Sequence, residues 1–442
     1  MIPFVAPVIA LLVAWLGWPL IRTHSSARLA WLAVSFAFLF WYWLPGFNVL
    51  VGGNLGLEEV RPDPTIAALT VWPLLFHHLA ALAAIALVAR LVPDHPPRPY
   101  TLTIPEVPVG LFAVSGMAIV IVWLFAAEGP AFLLQLLTGA ASAREALSYD
   151  NFSASAADSL RALLEILALY AAVMLIAHTT LGRRLDSAAA LLGFAGLAIA
   201  FVGSGTRAVI MMGVVAMVLA ATSGARVPPR PGGRTRQLVI GGLAATVLLI
   251  PIAAALAARS TLAVEESNPL FDLFFVNNDM FRELVFVNDQ MQGYRSQSAR
   301  DFILTPFTYM LPSFLGFSKA IPDHLLAFNM ARTEIDLILG AGNVFPGLIG
   351  DFTLAFGPAG PLWFGLFIGT FTAALTLLAR LRPGGAAPLS LQIALCAWLF
   401  FSFRNLHPGL ALLFTTAFAA LLLLRTLHPD PEKSLTKDTV SV

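Results

Sequence analysis

Charge is scarce in this chain. Only 12% of its 442 residues are Asp, Glu, Lys or Arg, where soluble domains carry roughly a quarter. The net charge of +1 leaves no basic surface of the kind nucleic acid needs, so no nucleic-acid partner is expected. Cysteine is nearly absent as well. The single Cys396, in an apolar run, excludes an intramolecular disulfide. The sequence holds no HExxH, no CxxC, no Walker A loop and no Gly-rich dinucleotide turn. Its longest polar segment also lacks the paired DxD acids with which many sugar transferases hold a metal. Glu334-Ile335-Asp336 is the nearest approach, and Asp323 stands alone. Metal-independent chemistry without a cofactor is therefore the expectation. Met1-Ile2-Pro3-Phe4 carries no basic n-region, so the first apolar run reads as a permanent span and not as a signal peptide.

What is abundant is apolar residues, at 58%, with a mean hydropathy of +0.81. A water-soluble fold of this length has no interior large enough to hide that much apolar surface, so the bilayer is the expected solvent. A helical span needs about 20 apolar residues. Runs of roughly that length fall at 3–21, 29–50, 66–89, 108–127, 159–179, 188–203, 207–222, 238–257, 358–379, 388–403 and 408–426. The predicted fold is an all-α polytopic membrane protein of about eleven spans. It forms one integral membrane domain over 1–442, with a large helical loop, 258–347, between the eighth and ninth spans.

Arginine placement orients the spans. Arg22 and Arg28, Arg90 and Arg98, Arg183 and Arg184, Arg226 to Arg236, and Arg380 and Arg382 occupy alternate connections. The tail with Lys433 and Lys437 falls on the same side. The positive-inside rule makes that side cytoplasmic. The loop 258–347 then lies on the outer face. Within the spans, Arg161 and Glu165 are spaced for an intrahelical salt bridge, with a cavity-lining role for Glu165 as the alternative. The adjacent His77 and His78 cannot face one metal from a regular helix, and they fit hydrogen bonding between helices better.

The polar stretch from Arg259 to Val344 is the most informative part of the chain, because lipid-facing helices do not need it to fold. The rule that puts cations inside makes each outer arginine notable. Gly203-Ser204-Gly205-Thr206-Arg207 reads as a tight outer turn opening a helix. A helix N-terminus disfavours a cation unless an anion bridges the free N–H groups and the guanidinium. Snorkelling to headgroups, or pairing with an outer acid, is the other reading of Arg207. Arg404 follows a span at its outer end, where the helix dipole favours a cation on structural grounds alone. His407 beside it is either a donor or base, or simply a satisfied histidine. Inside the interruption, Asp279 to Asp289 reads as a helix, with Asp279, Arg282, Phe286 and Asp289 on one face. Intrahelical pairing and a site role compete for these charges and for Glu283. Arg295, next to Tyr294, and Arg300 have fewer local partners.

The interruption closes on Asn343-Val344-Phe345-Pro346-Gly347-Leu348-Ile349-Gly350-Asp351, then Phe356-Gly357-Pro358-Ala359-Gly360. The small and turn residues predict a short or re-entrant helix, a turn, and then the ninth span. Asp351 falls on the short helix, either paired with an outer arginine or poised as a base.

At these residues the chain resembles the Wzy-type polymerases, the O-antigen or oligosaccharide repeat-unit polymerases of the bacterial inner membrane. Three features carry the resemblance: the turn Gly203–Arg207, the outer loop with Gly293-Tyr294, Pro306, Pro312, Lys319 and Pro322, and the segment Asn343 to Gly360. Asp351 stands where glutamate is the common form, and Ala355 replaces the usual asparagine before Phe-Gly. The resemblance covers residues from about 200 to 360 and the number of spans. It implies a GT-C-like fold, a periplasmic site and an inverting transfer. In that transfer a growing glycan leaves undecaprenyl pyrophosphate for a hydroxyl of a lipid-linked repeat unit. It leaves open whether the protein works alone or alongside a chain-length regulator and a flippase. On this view Arg207, Arg282, Arg295, Arg300 and Arg404 bind pyrophosphate. Asp351, Asp279, Glu283 and Asp289 are candidate bases, and Tyr294, Asn343 and His407 contact substrate. A ligase that hands finished glycan to another acceptor, and a transporter of lipid-linked sugar, are the alternatives.

The topology is directly testable. A cysteine placed at Lys319 should react with a membrane-impermeant thiol reagent from outside, and one at Arg230 only after the membrane is opened. The reverse pattern would overturn the orientation.

Overall fold

The computed structural model describes residues 2–50, 64–92, 207–223, 280–291, 327–328, 330–331, 346–381 and 386–404. Among these residues there is helix and no strand. The elements are α1 (Ile2–Ile21), α2 (Ser25–Phe38), a π-helical turn (Leu39–Trp43), α3 (Leu44–Leu50), α4 (Pro64–Leu91), α5 (Arg207–Thr222), α6 (Met280–Gln290), α7 (Gly347–Phe356), a 3-10 turn (Gly357–Ala359), α8 (Gly360–Leu381) and α9 (Ala386–Ser402). Three stretches are long and apolar enough to cross a membrane: Ser25–Phe47, Thr65–Leu91 and Gly347–Ala379. The chain is accordingly a helical membrane protein. Helices coincide with the expected spans at 3–21, 29–50, 66–89, 207–222, 358–379 and 388–403. The spans expected at 108–127, 159–179, 188–203, 238–257 and 408–426 lie outside the described residues, as does most of the loop 258–347.

The longest of the three stretches is not one rod. Phe352 and Phe367 are 15 positions apart, which is about 22 Å along a straight helix, yet their rings lie 5.8 Å apart. Phe356 likewise stacks on Trp363 at 5.0 Å. So α7 folds back on α8 as a helical hairpin, and α8, with 22 residues, is long enough to span by itself. The corner is Gly357, whose φ of +56° stops α7 in a conformation that side chains resist. The short helix, turn and span expected from the sequence are all present.

Helix α4 is the spine, and α8 packs most extensively along it. The two run the same way: Gly360 lies by His77, Gly365 by Ala80, and Gly369 by Ala84 and Val88. A Cβ on Gly365 would come within 3.1 Å of the Ala80 carbonyl oxygen, so the helices meet almost backbone to backbone. Membrane helices gain little from expelling water and rely on such close contact, and on buried hydrogen bonds, instead. Gln392 of α9 supplies one such bond, donating to the Leu375 carbonyl at 3.2 Å.

His24 ties one end of the bundle together. Its Nδ1 accepts from the Ala27 amide at 3.2 Å and caps α2, while Nε2 bonds the Val92 carbonyl just beyond α4 at 2.9 Å. The turn carrying Arg22 and Arg28 therefore sits at the same end as Arg90, and the course of α8 brings Arg380 there too. Along α4 that end is about 30 Å from Thr70. Arg22, Arg28, Arg90 and Arg380 thus share one end, while Arg98, Arg183, Arg184 and Arg226 to Arg236 lie outside the described residues.

Replacing His24 with alanine removes both contacts. Loss of an N-cap costs about 0.5–2 kcal/mol, so His24→Ala should lower the thermal unfolding midpoint in detergent by several degrees. His24→Asn, which retains a capping oxygen, should recover part of it. An unchanged midpoint in His24→Ala would show that the turn is held otherwise.

Candidate functional site

The site is built around the start of α7. The residue ahead of that helix is Pro346, whose side chain makes no capping hydrogen bond. The first amides of a helix have no partner inside it, so here they must find acceptors elsewhere. Two do. The Leu348 amide donates to the Phe403 carbonyl at 3.1 Å. The Ile349 amide donates to the Tyr42 hydroxyl at 3.2 Å, and that hydroxyl donates to the same Phe403 carbonyl at 3.2 Å. Gly347 permits this approach, with φ at +70° and no space for a Cβ, which would fall 2.7 Å from the Tyr42 oxygen.

Tyr42 reaches this point because the second span carries a π-helical turn. The wide turn aims consecutive aromatic residues at the end of α9. Arg404 tightens that end by donating its amide to Phe401 at 3.0 Å. The Phe400 carbonyl receives the Trp41 indole N–H at 2.9 Å. Trp43 points the other way, giving its N–H to His78 Nδ1 at 3.2 Å. Beneath Tyr42 the rings of Phe38, Phe364 and Phe403 pack edge to face at 5.1–6.0 Å. Phe352 joins Phe364 at 5.4 Å. Each such ring pair adds about 0.5–1.5 kcal/mol to its buried area, and together they join α2, α7, α8 and α9.

On this scaffold α6 docks. The helix comes from the polar interruption, yet it packs against α7, α4, α3 and the π-helical turn. Phe281, fully buried, covers Gly46, where a Cβ would meet its ring at 2.9 Å. Asn288 donates to Thr70 at 3.2 Å. Met280 lies by Gly347 and Val287 by Gly350. Glu283 falls between Met280 and Val287 on the stripe of α6 turned toward α7, and Asp351 is one turn beyond Gly347 on the facing stripe. Both acids are deeply buried, Glu283 at 5% exposure and Asp351 at 2%. Burying a carboxylate costs several kcal/mol unless it is paired or hydrogen-bonded.

Four of the residues singled out in the sequence thus converge on one end of the bundle. Asp351 lies in α7, two residues beyond Ile349, whose amide donates to Tyr42. Glu283 and Arg282 lie in α6. Arg404 directly follows Phe403, the residue whose carbonyl anchors α7. Each of the four has an interaction partner in the structure, so a part in the fold stands beside any part in chemistry. Asp289 is half-buried and accepts from the Gln290 side chain at 2.8 Å. Arg207 is the first residue of α5, as the glycine-rich turn before it predicts. Asp279, Tyr294, Arg295, Arg300, Asn343 and His407 lie outside the described residues.

The adjacent histidines diverge. His77 Nδ1 donates to the Pro73 carbonyl within α4 at 2.8 Å, while His78 accepts from Trp43 and stacks on Phe38 at 4.1 Å. The bond between helices expected for this pair belongs to His78 alone. Among the described residues no group of three or more His, Cys, Asp or Glu is gathered to hold a metal ion.

Tyr42 is the site residue that the sequence did not single out. Its signal was present in Leu39-Phe40-Trp41-Tyr42-Trp43, because Tyr and Trp buried in a span require partners for their polar atoms. No protein-family model, no curated protein and no solved structure matches the chain.

The docking of α6 can be tested at Gly46. In Gly46→Leu the added side chain displaces Phe281. The segment around 280–291 should then become accessible to protease added from its own side of the membrane, while α4 and α8 remain protected. Continued protection of 280–291 would mean that α6 is not held by this contact.

Proposed function

We propose that the chain is a glycosyltransferase of the outer membrane face of the cytoplasmic membrane. It lengthens a glycan carried on undecaprenyl pyrophosphate by transferring it to a lipid-linked repeat unit. The observation that carries this reading is the convergence of two buried acids, Asp351 and Glu283, with Arg404 and Arg282 at the end of the bundle away from Arg22, Arg28, Arg90 and Arg380. Arg22, Arg90, Arg207, Arg380 and Arg404 fall at or next to the ends of described helices, which supports transfer over transport.

The chemistry asks for two things that these residue types supply. An acceptor hydroxyl must lose its proton as its oxygen attacks the anomeric carbon, and a positioned carboxylate contributes about 10²–10⁴-fold to such a step. The carbon–oxygen bond to pyrophosphate breaks on the opposite face of the sugar, with inversion, and the diphosphate gains charge as it leaves. Guanidinium groups match its oxygens in paired hydrogen bonds, each charge-assisted contact worth roughly 1.5–3 kcal/mol. Asp351 is the base in this proposal, with Glu283, Asp279 and Asp289 as the other acids in reach of the role. Arg207, Arg282, Arg295, Arg300 and Arg404 hold the diphosphate, and Tyr294, Asn343 and His407 meet the sugars.

The experiment is incubation of the purified protein in lipid nanodiscs with a lipid-linked repeat unit, the products being resolved by chain length. The wild-type protein should yield a ladder, and should do so in EDTA. Asp351→Asn should lower the rate about 10²-fold or more. Arg207→Ala and Arg295→Ala should leave single units. Long glycan from both arginine variants would remove the diphosphate role. Loss of the ladder in EDTA with recovery in magnesium would install a metal in the mechanism. Handing the chain to a different acceptor without lengthening would make the protein a ligase.

A further inference from the structure

Tyr42 has no part in the transfer just described, yet it is fully buried and stands between the two halves of the site. Its hydroxyl is used in both directions, accepting from Ile349 and donating to Phe403. The Phe403 carbonyl in turn takes a second donor, the Leu348 amide, which fills both of its lone pairs. The result is a closed set of three hydrogen bonds joining the π-helical turn, the start of α7 and the end of α9. Asp351 lies two residues beyond Ile349, and Arg404 one beyond Phe403. With Pro346 unable to cap α7 through its side chain, no closer group from α7 itself substitutes for the hydroxyl.

We infer that Tyr42 is a positioning residue. By bridging Ile349 and Phe403 it sets where α7 sits on the end of α9, and so the placement of Asp351 relative to Arg404. The π-helical turn is the device that makes this reach possible, since it directs Trp41 and Tyr42 together onto the terminal carbonyls of α9. Wide turns of this kind are frequent at functional sites. The inference rests on the glycan-transfer reading for its consequence in catalysis, but not for the clamp itself.

Tyr42→Phe keeps the ring and its packing on Phe38 and removes only the oxygen. Amide hydrogen exchange, followed by mass spectrometry on the protein in nanodiscs, should speed up roughly five- to tenfold in peptides covering 346–356, with peptides of α4 and α8 unchanged. In the chain-length assay kcat should fall about 10- to 100-fold while KM for the repeat unit stays within about twofold. Trp41→Phe, which removes the neighbouring bond to Phe400, should leave exchange at 346–356 at the wild-type level. Unchanged exchange at 346–356 in Tyr42→Phe, or a rise spread over the whole bundle, would overturn the clamp. Local opening with an unchanged kcat, or a change in KM alone, would overturn the positioning role. If the wild-type protein lengthens no glycan while Tyr42→Phe still opens 346–356, the transfer reading fails and the clamp stands.

Discussion

A helix that begins inside a membrane protein begins with unsatisfied amides, and the arrangement of this site follows from how α7 resolves that problem. Proline precedes the helix and offers no capping atom, and hydrocarbon offers no water. An amide left buried without an acceptor costs about 1–3 kcal/mol. The structure supplies acceptors from two distant parts of the chain, the Tyr42 hydroxyl and the Phe403 carbonyl, and they are hydrogen-bonded to each other. Helices from both ends of the sequence are thereby pinned at one point. Asp351 is carried into the interior and Arg404 is set beside the start of α7 as a consequence.

The rest of the bundle allows that point to be rigid. Small residues let α8 run close along α4, and a cluster of phenylalanines fills the space below Tyr42. Neither contact depends on excluding water, which matters where the surroundings are as apolar as the side chains. The helix α6 then adds a wall. It arrives from the most polar part of the sequence, but it is held by Phe281 over Gly46 and by Asn288 on Thr70. The part of the polar interruption that forms α6 packs on the spans and brings Glu283 and Arg282 with it.

Much of this could be read from residue order. The apolar runs marked the limits of α4, α5 and α9 to within a few residues, because a helix in the bilayer core must be built from a continuous run of apolar residues. Gly357 and Pro358 announced the corner between α7 and α8, since a positive φ demands glycine. The alternation of arginines put Arg22, Arg28, Arg90 and Arg380 on one side, and the His24 contacts and the course of α8 bring these four to one end. Tyr42 was not readable in this way. An aromatic residue in an apolar run looks like core or lipid contact, and its value lies in two partners more than 300 positions away. The burial of Glu283 was equally hidden, because its own helix offers neighbours enough for an ordinary ion pair. Only the packing of α6 on α7 turns it inward.

Composition and the apolar runs by themselves determined that this chain is helical and belongs in a membrane, where the described spans start and stop to within a few residues, and which few charged residues need explaining. Those properties are local, set by the thickness of the bilayer and the conformations open to glycine and proline. Tertiary structure decided which of the elements that carry charge pack together. Asp351, Glu283, Arg282 and Arg404 lie on three segments whose order along the chain carries no information about their distance in space. The segments carrying Asp351 and Arg404 are joined by hydrogen bonds that form only when a π-helical turn, an uncapped helix start and a helix end come together, while Glu283 and Arg282 arrive with α6 through Phe281 on Gly46 and Asn288 on Thr70.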